Sequence, residues 1–383
     1  MDALFIYNNP MLQNKIYLNF IKEIFKTFFV ILLGLSLIAL TVRAVNFLEL
    51  IVDNGYSVSI YFKYSFLNIF GLMPKFIPLS FFLAISIFIL RHLQDSEFII
   101  LWTSGIKKMQ LVNLLLIVSL FILLFYLILS AFLTPFALNK SRQLLSSEEL
   151  SSFLPTVRTQ QFSDSFKGFT FLVEKKINNE FQNIFLHDES NNLKNLSSNT
   201  NENISTSIFA NNGIIKNKRL FLFKGQIISS KKDRLKNEII KFDQLVINLS
   251  SLSNNTIKTA KIQETSTWVL LSCVIGRNTN DKFCKEGEKE IIPNLNRRII
   301  LPFYIPALSL ICSLLLIRSK SKYLNKVSIF LCSLSLLLFS ELIIRYTGIN
   351  NYARISFIII PIISFFVFYF YLINKFSKEL KTT

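Results

Sequence analysis

The stretch RHLQDSEFIILWTSGIKK, residues 91–108, lies between two long apolar runs of the sequence. It opens with charged residues, continues through the apolar run FIILW and stops at TSG. Because glycine readily adopts the left-handed conformation that ends many helices, Gly105 predicts a helix C-cap. We therefore expect a short amphipathic helix over about residues 93–103, lying along a membrane face where a partner protein can push on it.

Outside this stretch the composition is typical of an integral membrane protein. Hydrophobic residues make up 51% of the 383 residues, Phe occurs 39 times and the mean hydropathy is +0.44. A helix crosses a bilayer with about 20 residues. Six runs meet this length, near residues 24–42, 61–90, 111–136, 299–317, 327–344 and 355–373. The second run is longer than a bilayer needs, which predicts an extension outside the membrane or a bend at Pro74 and Pro78.

The polar block between the third and fourth runs has a β pattern. Short β-branched or aromatic segments alternate with turn residues, as in GFTFLVEKK, RLFLFKG and EIIKFDQLVINL. Seven or more such segments predict a sandwich or jelly roll. NNG at 211–213 predicts a hairpin turn, residues 190–207 a flexible loop, and residues 264–276 a short helix.

The distribution of basic residues predicts how the chain is oriented in the membrane. The net charge of +18 also occurs in nucleic-acid-binding proteins, but the basic residues flank the apolar runs, as the positive-inside rule predicts. With a cytoplasmic N-terminus, the basic segments at 15–26, 91–108, 318–326 and 375–381 are all cytoplasmic. We therefore expect no nucleic-acid partner, both termini in the cytoplasm and a periplasmic β block.

These patterns together predict an α-helical polytopic membrane protein with six transmembrane helices and an inserted all-β, jelly-roll-like periplasmic domain between helices three and four. The expected domains are an N-terminal membrane half, the β domain and a C-terminal membrane half, at residues 1–138, 139–290 and 291–383.

Catalytic motifs are missing from the sequence. The two histidines, His92 and His187, fall on opposite sides of the expected membrane, and there is no P-loop or G-x-S-x-G motif. Cys273 and Cys284 can close a small loop in an oxidising compartment, although two free thiols are the simpler interpretation. We therefore expect a transporter without catalytic residues, metal or cofactor of its own.

Several motifs resemble a known family. RHLQDSE followed by TSGI is similar to the R-x-x-x-D-S-E…G-[IV] cytoplasmic motif of the LptF/LptG permeases of the lipopolysaccharide export ABC transporter. PKFIPLSFFLAISI at 74–87, LTP at 133–135 and NRR at 296–298 also resemble family features. DSE and the Thr-Pro pair favour LptF over LptG, whereas WTS at 102–104 and Asn296 depart from the common pattern.

The resemblance implies that residues 91–105 form a coupling helix on a cytoplasmic, LptB-like ABC ATPase dimer. Glu97 would face a basic side chain there; the alternative is a solvated charge at a helix start. The implied coupling residues are Arg91, Asp95, Ser96, Glu97 and Gly105.

The resemblance also implies a lipopolysaccharide cavity shared with a paralogous, LptG-like permease and lined by the first and fifth spans. Basic residues near its rim are candidates for the lipid phosphates. Each can equally be a headgroup anchor. They are Arg43, Lys75, Arg297, Arg298 and Arg345.

The β domain would receive acyl chains in an apolar groove and pass them to periplasmic bridge proteins similar to LptC and LptA. Phe169, Phe171, Phe221 and Phe223 fit this groove, and they also fit an ordinary sandwich core. Other hypotheses are a permease of another envelope exporter, for lipoprotein release or efflux, and an envelope scaffold or sensor that transports nothing.

Overall fold

Each long apolar run of the sequence is helical in the computed structural model of the chain. The structure describes residues 10–52, 56–156, 159–166, 169–177, 180–189, 204–216, 219–231, 237–248, 261–275, 284, 288–317 and 322–381. Contacts divide the chain into two units. The membrane unit comprises Met1–Thr41, Leu67–Asn139 and Lys261–Thr383, and the β unit comprises Val42–Phe66 and Lys140–Ala260.

The first part of the chain holds three long helices and one short one. They are α1 (Pro10–Phe47), α2 (Glu49–Val52), α3 (Val58–Gln94), α4 (Glu97–Thr103), α5 (Lys108–Ile128), a π-helical turn (Leu129–Leu133) and α6 (Thr134–Thr156). The extra length predicted for the second run is helix, because α3 continues through Pro74 and Pro78.

The last part of the chain supplies the remaining spans. Its helices are α7 (Thr267–Ile275), α8 (Glu288–Ile299), a 3₁₀ turn (Leu301–Phe303), α9 (Tyr304–Ser313), a second 3₁₀ turn (Leu314–Leu316), α10 (Lys322–Tyr346) and α11 (Asn351–Lys381). Pro302 lies in the first 3₁₀ turn, where its missing N–H interrupts the helical ladder between α8 and α9. Helix α7 confirms the helix predicted over residues 264–276.

Six helical segments are long and apolar enough to cross a membrane, which confirms the predicted number for the described residues. They differ in how much of their apolar surface is covered. In the fourth, Lys289–Leu316, 72% of the apolar window is buried, against 17% in the first and the sixth. The second, third and fourth spans therefore form the packed centre, and the others expose apolar surface to lipid or to partner helices.

The β unit contains one antiparallel sheet of six strands, paired in chain order from β1 to β6. The strands are β1 (Ser163–Phe166), β2 (Phe169–Ile177), β3 (Glu180–Asp188), β4 (Ile204–Lys216), β5 (Arg219–Lys231) and β6 (Asn237–Asn248). Among these described strands every pairing joins consecutive strands, whereas a jelly roll needs Greek-key connections. The jelly roll thus stays a prediction. Residues 190–203 of the predicted loop lie outside the described residues, and the prediction is wrong for residues 204–207, which pair with their neighbours at the start of β4.

A crease runs across the middle of this sheet. Neighbouring strands pair in a constant register on both sides of one row of residues, but the residues of that row are not paired with one another. Along a strand, the packed side chains are at odd-numbered positions on one side of this row and at even-numbered positions on the other. The row consists of Glu174, Asn183, Asn211, Lys224 and Asp243. Asn183 and Lys224 have positive φ, which fits a local change in the face of the sheet to which the side chains point.

The crease explains why the predicted NNG hairpin is wrong. Asn212 and Gly213 pair with Phe223 and Leu222 in the interior of two long strands, so the chain does not turn at this point. The segments predicted as separate strands on either side merge into β4, and the same happens in β5. Fewer, longer strands result than the sequence predicts.

Cys273 and Cys284 form a disulfide, with their Cα atoms 5.4 Å apart. This corrects the simpler interpretation of two free thiols, because α7 brings Cys273 within bonding range of Cys284. The other two cysteines, Cys312 and Cys332, are free thiols.

The disulfide gives a direct prediction about thiol chemistry. In protein denatured without reductant, mass spectrometry should find alkylation at Cys312 and Cys332 only. After reduction all four cysteines should react. Four reactive thiols without reductant would contradict the bond.

Candidate functional site

The 91–108 segment folds as a short helix that follows the second span through a tight turn. Helix α3 continues to Gln94, and the next helix, α4, begins at Glu97. Between them Ser96 has a φ of 59°. The predicted start near residue 93 is therefore wrong, because residues 93 and 94 complete the long helix before the chain reverses.

The end of α4 confirms the prediction made from Gly105. Its φ is 97°, in the left-handed region. The N–H of Gly105 donates to Trp102 O at 3.2 Å and that of Ile106 to Leu101 O at 3.1 Å. These two bonds are the Schellman arrangement, which fixes the direction of the chain into α5.

Helix α4 has one packed face and one exposed apolar face. Phe98 is fully buried and lies edge-on to Phe20 of α1, with ring centroids 6.2 Å apart. Ile99 and Ile100 are 53% and 65% exposed. This exposed apolar pair is available for contact with lipid or with a partner protein.

Charged side chains surround the start of α4. Arg91 lies 3.2 Å from Glu23 of α1 and 3.9 Å from Asp95, while its own side chain is 68% exposed. Glu97 keeps 54% of its side chain exposed and lies 3.2 Å from the buried His92. The predicted coupling residues Arg91, Asp95, Ser96 and Glu97 are thus brought together around one turn.

A groove beside α4 involves residues that the sequence did not assign to the site. Its volume is about 410 Å³, and its lining comprises Lys15, Ile16, Asn19, Phe20, Glu97, Ile100 and Leu101. The apolar residues of α1 that line it recur at helical spacing, which was the available signal. The pattern alone could not say that this face meets α4.

The far end of the segment is tied to the last helix. Lys108 Nζ lies 2.6 Å from Glu379 and 4.6 Å from the centre of the Trp102 ring. The Lys108 side chain is about four-fifths covered, so this pair is less screened than a surface pair. Both ends of the segment are therefore fixed to membrane helices.

The five basic residues predicted near the substrate lie in different settings. Arg43, Lys75 and Arg345 are exposed. Arg297 lies 2.8 Å from Glu341, so Glu341 pairs across two spans, although the sequence places it one turn before Arg345. That pair brings Arg297 close to the turn that carries Arg345.

Arg298 is held entirely by the protein around it. It is 5% exposed, and its guanidinium donates to the carbonyl oxygens of Ile262, Gln263 and Thr265 and to the hydroxyl of Thr267. These bonds anchor the start of α7 to α8. Such occupied donors favour a structural role at this position.

The four phenylalanines predicted to line a groove do not share one face of the sheet. Phe171 is buried in the packed face. Phe221 and Phe223 alternate with two fully buried leucines and are half-buried on the opposite face. The run LFLF at 220–223 is apolar at every position, so alternation could not decide which pair packs. Phe169 is described only through its backbone in β2.

Lys176 of β2 is partly buried. Lys176 lies directly opposite Phe181, which belongs to the packed face. Burial lowers the pKa of the Lys176 ammonium group, because the charged form loses solvation.

The sequence matches a known protein family over most of its length. A family model described as lipopolysaccharide export system permease LptF/LptG matches residues 19–375. No curated protein matches the chain. The match covers the sheet, the four central helical segments and most of the first and the sixth, and members of the family are transporter components rather than enzymes. The chain belongs to the LptF/LptG family of lipopolysaccharide export permeases.

Proposed function

We propose that the chain is the LptF-like permease of a complex in which a separate cytoplasmic ABC ATPase dimer drives lipopolysaccharide out of the inner membrane. The observation that carries this proposal is α4: a short helix with an exposed apolar face and a half-exposed carboxylate, fixed at both ends to membrane helices. A push on such a helix moves the spans to which it is tied. The coupling residues are Arg91, Asp95, Ser96, Glu97 and Gly105.

The disulfide supports the proposed orientation. Disulfides persist in oxidising compartments such as the periplasm. The bond between Cys273 and Cys284 therefore favours a periplasmic position for the chain just before the fourth span. An odd number of crossings separates that position from α4, so α4 and both termini are cytoplasmic.

The first and fifth spans supply the surface for a paralogous, LptG-like partner and for the lipid. Only 17% and 22% of their apolar windows are buried, far less than in the fourth span. Exposed Arg43, Lys75 and Arg345 fit the phosphates of an anionic glycolipid better than the buried Arg298. Arg297 is paired with Glu341, which lies one helical turn before Arg345.

The sheet offers an edge for the bridge proteins. Among the described residues β6 is the last strand of the sheet, and it exposes Ile239, Ile240 and Val246. An LptC-like strand can add to such an edge through main-chain hydrogen bonds. The proposed periplasmic receiver is the expected domain 139–290, of which residues 140–260 belong to the β unit and residues 261–290 to the membrane unit. Phe171 lies in the packed face of its sheet, and Phe221 and Phe223 lie on the other face.

The order of elements argues against the other hypotheses. The sheet lies between the third and fourth spans, whereas permeases of lipoprotein release or efflux place their outer domain after the first. A scaffold or sensor needs no helix built to receive an ATPase.

Charge reversal at Arg345 tests the substrate contact. Arg345→Glu should lower photo-crosslinking of lipopolysaccharide to position 349 by about tenfold, because a charge-assisted phosphate contact becomes repulsive. Ile349 is 73% exposed and lies one turn beyond Arg345. The ATPase should still co-purify with the variant.

Lys375→Glu is the matched control, since Lys375 is also exposed but lies near the C-terminal end of the sixth span, whereas Arg345 lies at the end of the fifth. Equal crosslinking in both variants would make Arg345 a headgroup anchor. Failure of any ATPase to co-purify with the wild-type chain would contradict the transporter assembly itself.

A further inference from the structure

Helix α7, which precedes the fourth span, is apolar on every side. Its sequence, TWVLLSCVI, contains no charged residue. One side packs against α8, where Leu270 is fully buried beside Ile291 and Leu295. On the other side Trp268 is 75% exposed and Ile275 is 63% exposed. A helix that is hydrophobic all round requires a second apolar neighbour, which the chain itself does not supply in the part that the structure describes.

The helix is too short to cross a bilayer. It has 9 residues, whereas a spanning helix needs about 20. The sequence is charged on both sides of it, with Lys261 and Glu264 before it and Arg277 and Asp281 after it. A short apolar segment between charged stretches lies either in a protein core or along a membrane interface. The exposed face of α7 favours the interface.

A contact with the third span fixes the level at which α7 begins. The hydroxyl of Thr267 donates to the carbonyl oxygen of Ala131 at 2.6 Å. Ala131 lies 23 residues beyond Lys108 in that span, which is about 35 Å at helical rise, and the hydrocarbon core is about 30 Å thick. Lys108 marks one boundary of the core, because its ion pair with Glu379 is costly inside hydrocarbon. Thr267 therefore lies near the opposite boundary.

A second contact, with the fourth span, gives the same level. The guanidinium of Arg298 binds carbonyl oxygens of residues 262, 263 and 265, just before α7. Arg298 lies 18 residues before Leu316, where the described helical part of that span ends. At helical rise this separation is about 27 Å, close to the thickness of the hydrocarbon core. Two spans thus hold the start of α7 at the membrane boundary farther from α4.

The exposed face of α7 fits lipid better than a protein partner. Phe132 and Phe136 of the third span, close to the carbonyl that binds Thr267, are 73% and 70% exposed, so apolar surface continues from the span to the helix. Protein interfaces also carry regular hydrogen bonds. On α7 the Ser272 hydroxyl donates to a carbonyl oxygen of its own helix. Tryptophan, as at position 268, is enriched where a membrane meets water.

We infer that α7 is an interfacial helix, which lies along the lipid surface at the leaflet opposite to α4 and inserts Trp268 and Ile275 between the lipids. In the proposed orientation this is the periplasmic leaflet. The chain that leaves the sheet therefore meets the membrane before the fourth span begins, and the disulfide from Cys273 to Cys284 keeps the return to α8 short. The inference goes beyond the proposed function and does not depend on an ATPase or on the transported lipid.

Tryptophan fluorescence of the full chain in vesicles tests the position of α7. The chain has two tryptophans, so Trp102→Phe leaves Trp268 as the only one. The vesicles consist of phosphatidylcholine brominated either close to the headgroup or near the end of the acyl chains. The apolar face of an interfacial helix lies roughly 5–10 Å below the headgroup boundary, so bromine close to the headgroup should lower Trp268 emission roughly twofold. Deep bromine should lower it much less, and aqueous iodide should quench it less than free tryptophan amide.

Two matched variants calibrate the depth, both in a chain without Trp102 and Trp268. Phe121→Trp places the fluorophore on an exposed position of the third span about 20 Å from Lys108, so deep bromine should quench it more strongly. Ile275→Trp places it at the other end of α7. Shallow bromine should quench this variant more strongly, as for Trp268, because the helix lies along the surface.

Each other outcome overturns the inference. Quenching of Trp268 by iodide and by neither lipid would place α7 in water. Emission that no quencher reaches would mean that protein covers the helix, and stronger quenching by deep bromine would place it inside the hydrocarbon core. Trp102→Tyr repeats the measurement in a second background. Since no ATPase is present, a failure here leaves the proposed transport untouched, and a failure of ATPase binding leaves these spectra unchanged.

Discussion

Replacing Glu97 with alanine should abolish lipopolysaccharide export while leaving the protein in the membrane at its normal level. Glu97 is half-exposed at the start of a helix held by Phe98 and Gly105, so the fold does not depend on its carboxylate. A charge at a partly desolvated contact loses several kcal/mol when its partner is removed, about 2–5 kcal/mol in protein interfaces. The measurement is complementation of a depletion strain, with immunoblotting of membranes.

Two further variants make the result specific. Glu97→Gln keeps an oxygen that can accept from His92 but lacks the charge, so it should also fail if the ATPase contact carries the effect. Glu180→Ala removes an exposed carboxylate at the start of β3 and should complement fully. Normal growth of the Glu97→Ala strain, with the ATPase still bound, would contradict the coupling role.

Replacing Gly225 with valine should disrupt the sheet. A Cβ at this position would lie 2.2 Å from the carbonyl oxygen of Phe209 and 2.5 Å from the ring of Phe242. The oxygen belongs to the backbone of the neighbouring strand, so it cannot move without separating β4 from β5. We expect a loss of roughly 3 kcal/mol in the stability of the β unit.

Limited proteolysis of the purified full chain measures this loss. Cleavage within residues 204–248 should be about 100-fold faster in Gly225→Val than in the wild type, if it follows the population of the opened sheet. Gly34→Ala is the control, because nothing lies within 4 Å of a Cβ built there. An unchanged cleavage rate in Gly225→Val would mean that the two strands are not packed as described.

The parts of this fold that sequence predicts are those that depend on local chemistry. The six spans follow from apolar length, and the end of α4 follows from the one glycine that can adopt its φ. The start of α4 depends instead on the left-handed backbone conformation of Ser96, which the polar residues around it do not predict.

Contacts between distant residues were the harder part of the site. Glu341 has a suitable basic neighbour one turn away in sequence but pairs with Arg297 of another span. Arg298 looks like a phosphate ligand until its four protein acceptors are known. In the sheet, the Asn-Gly pair at 212–213 predicts a hairpin turn, but the chain continues straight there and only the face to which its side chains point changes.

That change of facing constrains how the receiver can vary among related chains. Deleting one residue at the crease of a single strand would remove the change of face in that strand, while the neighbouring strands would still change face at the crease. On one side of the deletion, the side chains of that strand would then point to the opposite face of the sheet from the side chains they pack with. Insertions and deletions at this row are therefore tolerated only when adjacent strands change in concert, and length variation should collect instead at the strand ends.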